Sequence, residues 1–440
     1  MEKEKRVLLS EDWASTIMGV FIIVGVLLLY SLTNIRINFP SFGITPDGWL
    51  GTSGLTEIVA VNNLIGAFGV LATLFALSVI TGFLCGKKWT EFKGFFVLYA
   101  ITFVAMSFAG NSYMRELGVE TVIFCLLIGL FVSNVFGVPD WVRGALQSEM
   151  YIKIGLVLMG STVLWPVLVR LGAVGIIQSV VVVAAVWYFC FWLCKKMKID
   201  EEMKMMLSSA VSICGVSAAV ATQGAIKGDK TKLSFVVSLV LVVAVPMILI
   251  MPVIAQLIGM QPVLAGAWIG GTVDNTAAVA ATGAALGGEA EQAAIIVKAS
   301  QNVLLGIAAF IISIYWVLRK SKGQAAEENQ YIEKPSLKIL WDRFPKFVLG
   351  FMAASLIFSF VISPVENREA MDAIRSMQGL WFAITFTSIG LETRFKDFMT
   401  SGNRKATIAF VTAQIFNVFF TLAIVYLIHL LIGYPEVVLG

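Results

Sequence analysis

The sequence predicts an all-α, polytopic membrane protein of about 11–13 transmembrane segments, with inverted repeats and two broken or re-entrant helices meeting near the midplane. Three observations carry that reading. The 440 residues are 58% hydrophobic and 14% charged, where an ordinary soluble domain is about 25% charged. The apolar residues fall in long runs. Two strips of small residues, Ser217–Asp229 "SAAVATQGAIKGD" and Thr276–Gly288 "TAAVAATGAALGG", lie 59 residues apart and share seven of thirteen positions.

The runs are, in order, Trp13–Leu32, Ile58–Cys85, Phe92–Ala109, Val119–Val138, Ile152–Val169 and Gly172–Cys194, then Leu233–Ile258, Ala293–Leu318, Phe347–Ile362, Leu380–Leu391 and Ala406–Ile432. Most reach the roughly 20 residues that cross a hydrocarbon core of about 30 Å. The first follows the charged "MEKEKR" but lacks a small-residue cleavage site. It reads as a retained first span and not as a signal peptide.

Lys and Arg gather in "KEKR", "KKWTEFK", "KKMKIDEEMK", the stretch from Arg319 to Lys346 and "RFKDFMTSGNRK". By the positive-inside rule these loops and the N-terminus face the cytoplasm, in the cell membrane. If every apolar segment crosses, thirteen spans put 22 Lys/Arg in cytoplasmic loops and 8 outside, and "KGDKTK" (Lys227–Lys232) falls on the wrong side. If Met203–Ile226 and Val263–Leu286 are instead hairpins entering from opposite faces, the tally becomes 25 against 5 with eleven full crossings. That arrangement is preferred, with breaks in full crossings as its rival, and it sets the two strips antiparallel. A fainter echo pairs Leu158–Gly172 with Ser388–Gly402, each with two glycines twelve residues apart.

In the first strip region Ser208, Ser209, Ser212, Ser217 and Thr222 surround Cys214-Gly215; in the second Thr272, Thr276 and Thr282 surround Asp274-Asn275. Backbone groups in lipid must be paired, so a helix breaks only where protein or a polar cavity serves the freed groups. The N–H groups and positive dipole end of the half-helix after a break favour an anion. Ser212, Cys214, Gly215, Ser217, Thr272, Asn275 and Thr276 are therefore expected to bind substrate. Close helix packing through small residues is the competing explanation.

Ionisable groups inside spans are costly and point to function. Asp274 and Lys298 stand out, the latter four residues before Asn302. Lys298 and Asn302 are expected to join the substrate site, and Asp274 with Lys298 to govern coupling to H+ or Na+. Capping of the half-helix starting at Asn275 is the alternative for Asp274, and snorkelling to an interface is the alternative for Lys298. Lys153 reads as interfacial, Glu392 and Arg394 as a membrane edge, and His429 as near the far end of the last span.

Cys85, Cys125, Cys190, Cys194 and Cys214 form neither a zinc spacing nor a disulfide framework, so no metal or cofactor is expected. No basic block with interleaved aromatics suggests nucleic acid. The absence of GxxxxGK[ST], HExxH and GxSxG argues against an ATP-driven pump or an enzyme.

"SICGVSAAVA" (Ser212–Ala221), "GTVDNTAAVAA" (Gly271–Ala281), "IVKASQNVLL" (Ile296–Leu305), "IGLVLMGS" (Ile154–Ser161) and "SIGLETRFKDF" (Ser388–Phe398) resemble the YeiH-like sulfate exporter family. Many members carry a His and an acidic residue where Asp274 and Asn275 stand, and an Arg where Gln301 stands. The resemblance implies kinship with cation–proton antiporters and bile-acid symporters, whose inverted repeats contain crossed, broken helices, and by analogy a homodimer.

Together these readings give one integral membrane domain over residues 1–440. Residues 1–50 form an extra span and loop, 150–318 the core, 319–346 a cytoplasmic linker and 347–440 the last spans. The expected function is secondary transport, exporting or exchanging a small anion, sulfate or a relative, by alternating access. A sodium/proton antiporter using Asp274-Asn275 is the alternative, and a non-transporting membrane subunit or sensor a further one.

Overall fold

The computed structural model describes residues 8–33, 36–37, 39–40, 56, 58–111, 121–323, 341–342, 344–362, 367–395, 403–435 and 437. They form an all-α, polytopic membrane protein; seven of the described helices are long and apolar enough to cross a bilayer. The chain divides into two compact units. One takes Met1–Leu168, Lys346–Arg394 and Val438–Gly440, and the other takes Val169–Pro345 and Phe395–Val437.

The first unit contains α1 (Glu11–Leu32), α2 (Val61–Leu84), α3 (Phe95–Ala109), α4 (Thr121–Val135), the single turn α5 (Asp140–Arg143) and α6 (Ser148–Met159). Its side chains supply partners for three of the charged residues singled out in the sequence. Lys153 lies 3.0 Å from Glu11, 2.8 Å from Asp12 and 3.9 Å from Glu149, with 12% of its side chain exposed. Such a grouping forms because a half-buried cation needs partners within its own fold. Glu392 accepts from the Ser148 hydroxyl at 2.8 Å and the Ser388 hydroxyl at 3.1 Å, so it caps the start of α6. Arg394 is half-buried and reaches the Val138 carbonyl.

The second unit takes most of α7 (Trp165–Lys196), whose first residues belong to the first unit. It continues with α8 (Glu201–Ser212), α9 (Val216–Ile226), α10 (Lys230–Leu257), α11 (Pro262–Thr272), α12 (Thr276–Ala284) and α13 (Gly288–Gly323). The first unit resumes with α14 (Lys346–Phe360) and α15 (Arg368–Glu392), and α16 (Arg404–Leu431) returns to the second. Residues 396–402, which hold the end of the fainter sequence echo, and 324–340, most of the expected linker, lie outside the described residues.

Two pairs of half-helices fold back as hairpins. After α9 the chain returns to the start of α8. There Glu202 accepts from the Asp229 N–H at 3.2 Å, and Lys232 reaches Asp200 at 2.7 Å and Glu202 at 3.1 Å. Met205 of α8, Ile226 of α9 and Ile312 of α13 share one buried cluster at this open end. In the second pair, Gly266 near the start of α11 and Gly283 at the end of α12 both pack against Ala290 and its neighbours on α13.

α13 therefore serves as a ruler. The second hairpin opens at its start, around Ala290, and the first opens toward its far end, around Ile312. The tips of both lie near Lys298 and Gln301, roughly 15 Å from Gly288 at about 1.5 Å per residue. That is about half the depth of a hydrocarbon core. α9 and α12 run away from this level in opposite directions, so the matched strips are antiparallel. The break residues recur at an interval one longer than the strips themselves: α8 and α11 end at Ser212 and Thr272, and α9 and α12 begin at Val216 and Thr276.

Small residues also serve packing. A Cβ on Gly266 or Gly270, one turn apart on α11, would collide with the backbone of Ala290 or Ala294. This close approach is the contact that small-xxx-small spacing permits.

Candidate functional site: the hairpin junction

The break in the first hairpin depends on Gly215. Its φ of +57° and ψ of −105° lie in a region that side chains other than glycine's avoid. The second break needs no such glycine, because Asn275 starts α12 from extended backbone. Its side chain accepts from the N–H groups of Ala277 at 2.8 Å and Ala278 at 3.0 Å. The half-helix beginning at residue 276 is thus capped by Asn275 and not by Asp274.

The two tips touch. A Cβ placed on Gly215 would stand 3.1 Å from the Asp274 carbonyl oxygen and 3.4 Å from the Asp274 Cβ. Ser212, Thr272 and Lys298 are each 1% exposed, and Cys214, Asp274, Asn275 and Asn302 no more than 5%. Ser217 and Thr276 are half-buried. The expected site residues are therefore brought together at one level of the second unit.

A helix that ends inside a membrane leaves several carbonyls without partners. Here side chains of α13 and α16 supply them. At the end of α8, Asn417 donates to the Val211 carbonyl at 3.2 Å, Gln301 to Ser212 at 2.9 Å, and Lys298 to Ile213. At the end of α11, Gln301 reaches the Gly271 carbonyl at 3.4 Å, while Gln414 and Asn417 reach that of Thr272 at 2.9 and 3.1 Å. Lys298 is not snorkelling: its ammonium caps a helix C-terminus, where positive charge suits the dipole. It also donates to Gln301 Oε1 at 2.8 Å.

The amide ends differ. α12 is capped by Asn275, whereas α9 has no side-chain cap, and Asp274 lies against Gly215 at its start. No described donor hydrogen-bonds the Asp274 carboxylate, and no ion pair within 4.0 Å joins it to Lys298. The hydroxyls divide as well. Ser212 donates to the Ser208 carbonyl at 2.7 Å and Thr272 to Trp268 at 2.6 Å, so their protons are committed to their own helices. Thr276 accepts from Asn302 at 3.2 Å, and Ser217 makes no hydrogen bond among the described residues.

Gln414, Asn417 and Gln178 escaped the sequence reading, which sought ionisable groups. Their signal was present: Gln414, Asn417 and Thr421 fall at i, i+3 and i+7 on an otherwise apolar helix, one face of α16. Gln178, in α7, donates to the Ala267 carbonyl at 2.8 Å and accepts from the Tyr434 hydroxyl at 2.8 Å.

Residues 93–409 match the family described as Conserved hypothetical protein 698. A UPF0324 membrane protein of Rhodopirellula baltica is 37% identical over 83% of this chain and 68% of its own length. Two UPF0324 membrane proteins of Nitratidesulfovibrio vulgaris are 34% and 36% identical, over 84% and 78% of this chain. The match spans 66% and 60% of those two relatives' own lengths. No solved structure matches the chain. The chain belongs to the UPF0324 membrane-protein family, which is the YeiH-like family that its Ser212–Ala221 and Gly271–Ala281 segments resemble.

Proposed function

We propose that this protein is a secondary transporter of a small anion, with the hairpin junction as its binding site and Asp274 as its coupling group. The observation that carries the reading is the asymmetry of the four half-helix ends. The carbonyls of α8 and α11 are supplied by Lys298, Gln301, Gln414 and Asn417, and the amide end of α12 by Asn275. The amide end of α9, with the half-buried Ser217, is left for a ligand. Helix amide ends in a medium of low dielectric attract anions. Lys298 stands one hydrogen bond away, at Ile213, and adds positive potential.

Asp274 beside that amide end competes with an anion for the same field. An anion would be admitted when Asp274 takes up a proton, which is the basis proposed for coupling. A reading as a sodium/proton antiporter rests on another observation, that the hydroxyl protons of Ser212 and Thr272 are committed, so these two groups offer only oxygen lone pairs. Those lone pairs and Asp274 would suit a cation. The chain would act at the cell membrane with its N-terminus and lysine-rich loops inside.

Flux into proteoliposomes tests both. Sulfate or another small anion should move, and faster when a pH gradient is imposed. Sodium-driven proton movement with no anion flux across a panel would select the antiporter. Neither flux would end the transport reading.

A further inference from the structure

Two neutral side chains hold both hairpins at once. Gln301 of α13 donates to Ser212 of the first hairpin and to Gly271 of the second, at 2.9 and 3.4 Å. Asn417 of α16 donates to Val211 of the first and to Thr272 of the second, at 3.2 and 3.1 Å. Both residues are 1% exposed. Each is itself oriented by a third group: Lys298 donates to Gln301 Oε1, and the Thr421 hydroxyl donates to Asn417 Oδ1 at 2.8 Å. The amide group suits this task because it offers two N–H donors about 120° apart and keeps an acceptor for the orienting group.

We infer that Gln301 and Asn417 are positioning residues, a pair of neutral clamps that pin the two hairpin tips to each other so that they keep one register and move as one piece. The direct contact between the two tips is small. The tips meet where Gly215, which has no side chain, lies against the carbonyl oxygen and Cβ of Asp274. The four clamp bonds end on the terminal turns of α8 and α11, where a half-helix would otherwise fray. Lys298, bonded to Gln301 and to the Ile213 carbonyl, is held in place by the same clamp. The inference deepens the transport reading and rests on it only for its consequence, that the half-site on each hairpin stays assembled throughout a transport cycle.

The test needs no transported ligand. Cys214 lies at the first tip, 5% exposed, and Cys190 lies in the core of the same unit, fully buried. The full-length protein in detergent is exposed to N-ethylmaleimide, and labelling at each cysteine is followed by peptide mass spectrometry. Gln301→Leu and Asn417→Leu should each speed labelling of Cys214 about tenfold, the change that about 1.4 kcal/mol of lost hydrogen bonding produces. Cys190 should label no faster than in the unaltered protein. Gln301→Glu keeps an acceptor for Lys298 but loses the donors to Ser212 and Gly271, and should behave like Gln301→Leu. Unchanged Cys214 labelling in all three variants would overturn the clamp. So would labelling of Cys190 that rises in step with Cys214, because the amides would then serve the whole fold and not the tips. Gln301→Glu matching the unaltered protein would also overturn it, since Gln301 would then act only through Lys298. Flux measured on the same variants tests the transport reading separately.

Discussion

Gly215 and Asp274 meet at the point where the two hairpins touch: a Cβ on Gly215 would lie 3.4 Å from the Asp274 Cβ, in van der Waals contact across the junction. A methyl group on Gly215 would stand 2.6 Å from Val240 Cγ1 as well as 3.1 Å from the Asp274 carbonyl oxygen. The backbone there is also one that only glycine adopts without strain. Gly215→Ala is therefore expected to destabilise the protein by about 2–4 kcal/mol, combining strain and overpacking. Thermal unfolding in detergent reads this directly. A melting temperature within a degree of the unaltered protein would mean that the tips are looser than the geometry requires.

Lys298 gives a second prediction. Lys298→Met would leave the Ile213 carbonyl and Gln301 Oε1 without their donor, at about 1–3 kcal/mol for a buried group left unsatisfied. Lys298→Gln restores an N–H donor at similar length without the charge, and should recover about 1 kcal/mol of that loss. The order expected in thermal unfolding is unaltered, then Gln, then Met. Equal stability of all three would show that the ammonium is dispensable as a cap.

Much of this architecture is legible in the sequence. The long apolar runs and the misplaced lysines of Lys227–Lys232 called for hairpins because membrane insertion acts on simple local quantities, hydrophobicity and charge. Both hairpins form where the charge tally prefers them, and seven of the described helices are long and apolar enough to cross a bilayer. Asp274 and Lys298 were legible for the same reason, since charge in a span is conspicuous. The clamps were not. Gln301, Gln414 and Asn417 are neutral, and a neutral amide in a helix is informative only once its acceptor is known. Those acceptors lie 30 to 206 residues away. The pairing of Lys153 with Glu11 and of Glu392 with Ser148 is not legible either, because these partners are 142 and 244 residues distant.

Access to the junction should be one-sided. Along α9, Ser217 is half-buried and Val220 is 42% exposed, while Ala278 and Thr282 of α12 are 1% and 0% exposed. Single cysteines at Ser217 and Val220 should react with a small maleimide at least about tenfold faster than cysteines at Ala278 and Thr282. Equal rates at all four positions would mean that α9 is as enclosed as α12, which would remove the approach that the proposed site requires.

Asp274 supplies the last and most discriminating prediction. It is buried, unbonded by any described donor, and set against the uncapped start of α9. Asp274→Asn keeps the shape and removes the negative charge, so it mimics the protonated state permanently. If protonation of Asp274 admits an anion, the variant should exchange anions across proteoliposomes with no pH gradient, and an imposed gradient should no longer change the rate. If Asp274 instead holds a cation, the same substitution should abolish sodium-driven proton movement and leave no exchange of any kind. The two results are opposite in sign, because a fixed neutral group helps an anion at a helix amide end and removes the carboxylate that a cation would bind there. Anion flux in Asp274→Asn that still follows the pH gradient would show that the coupling proton resides elsewhere.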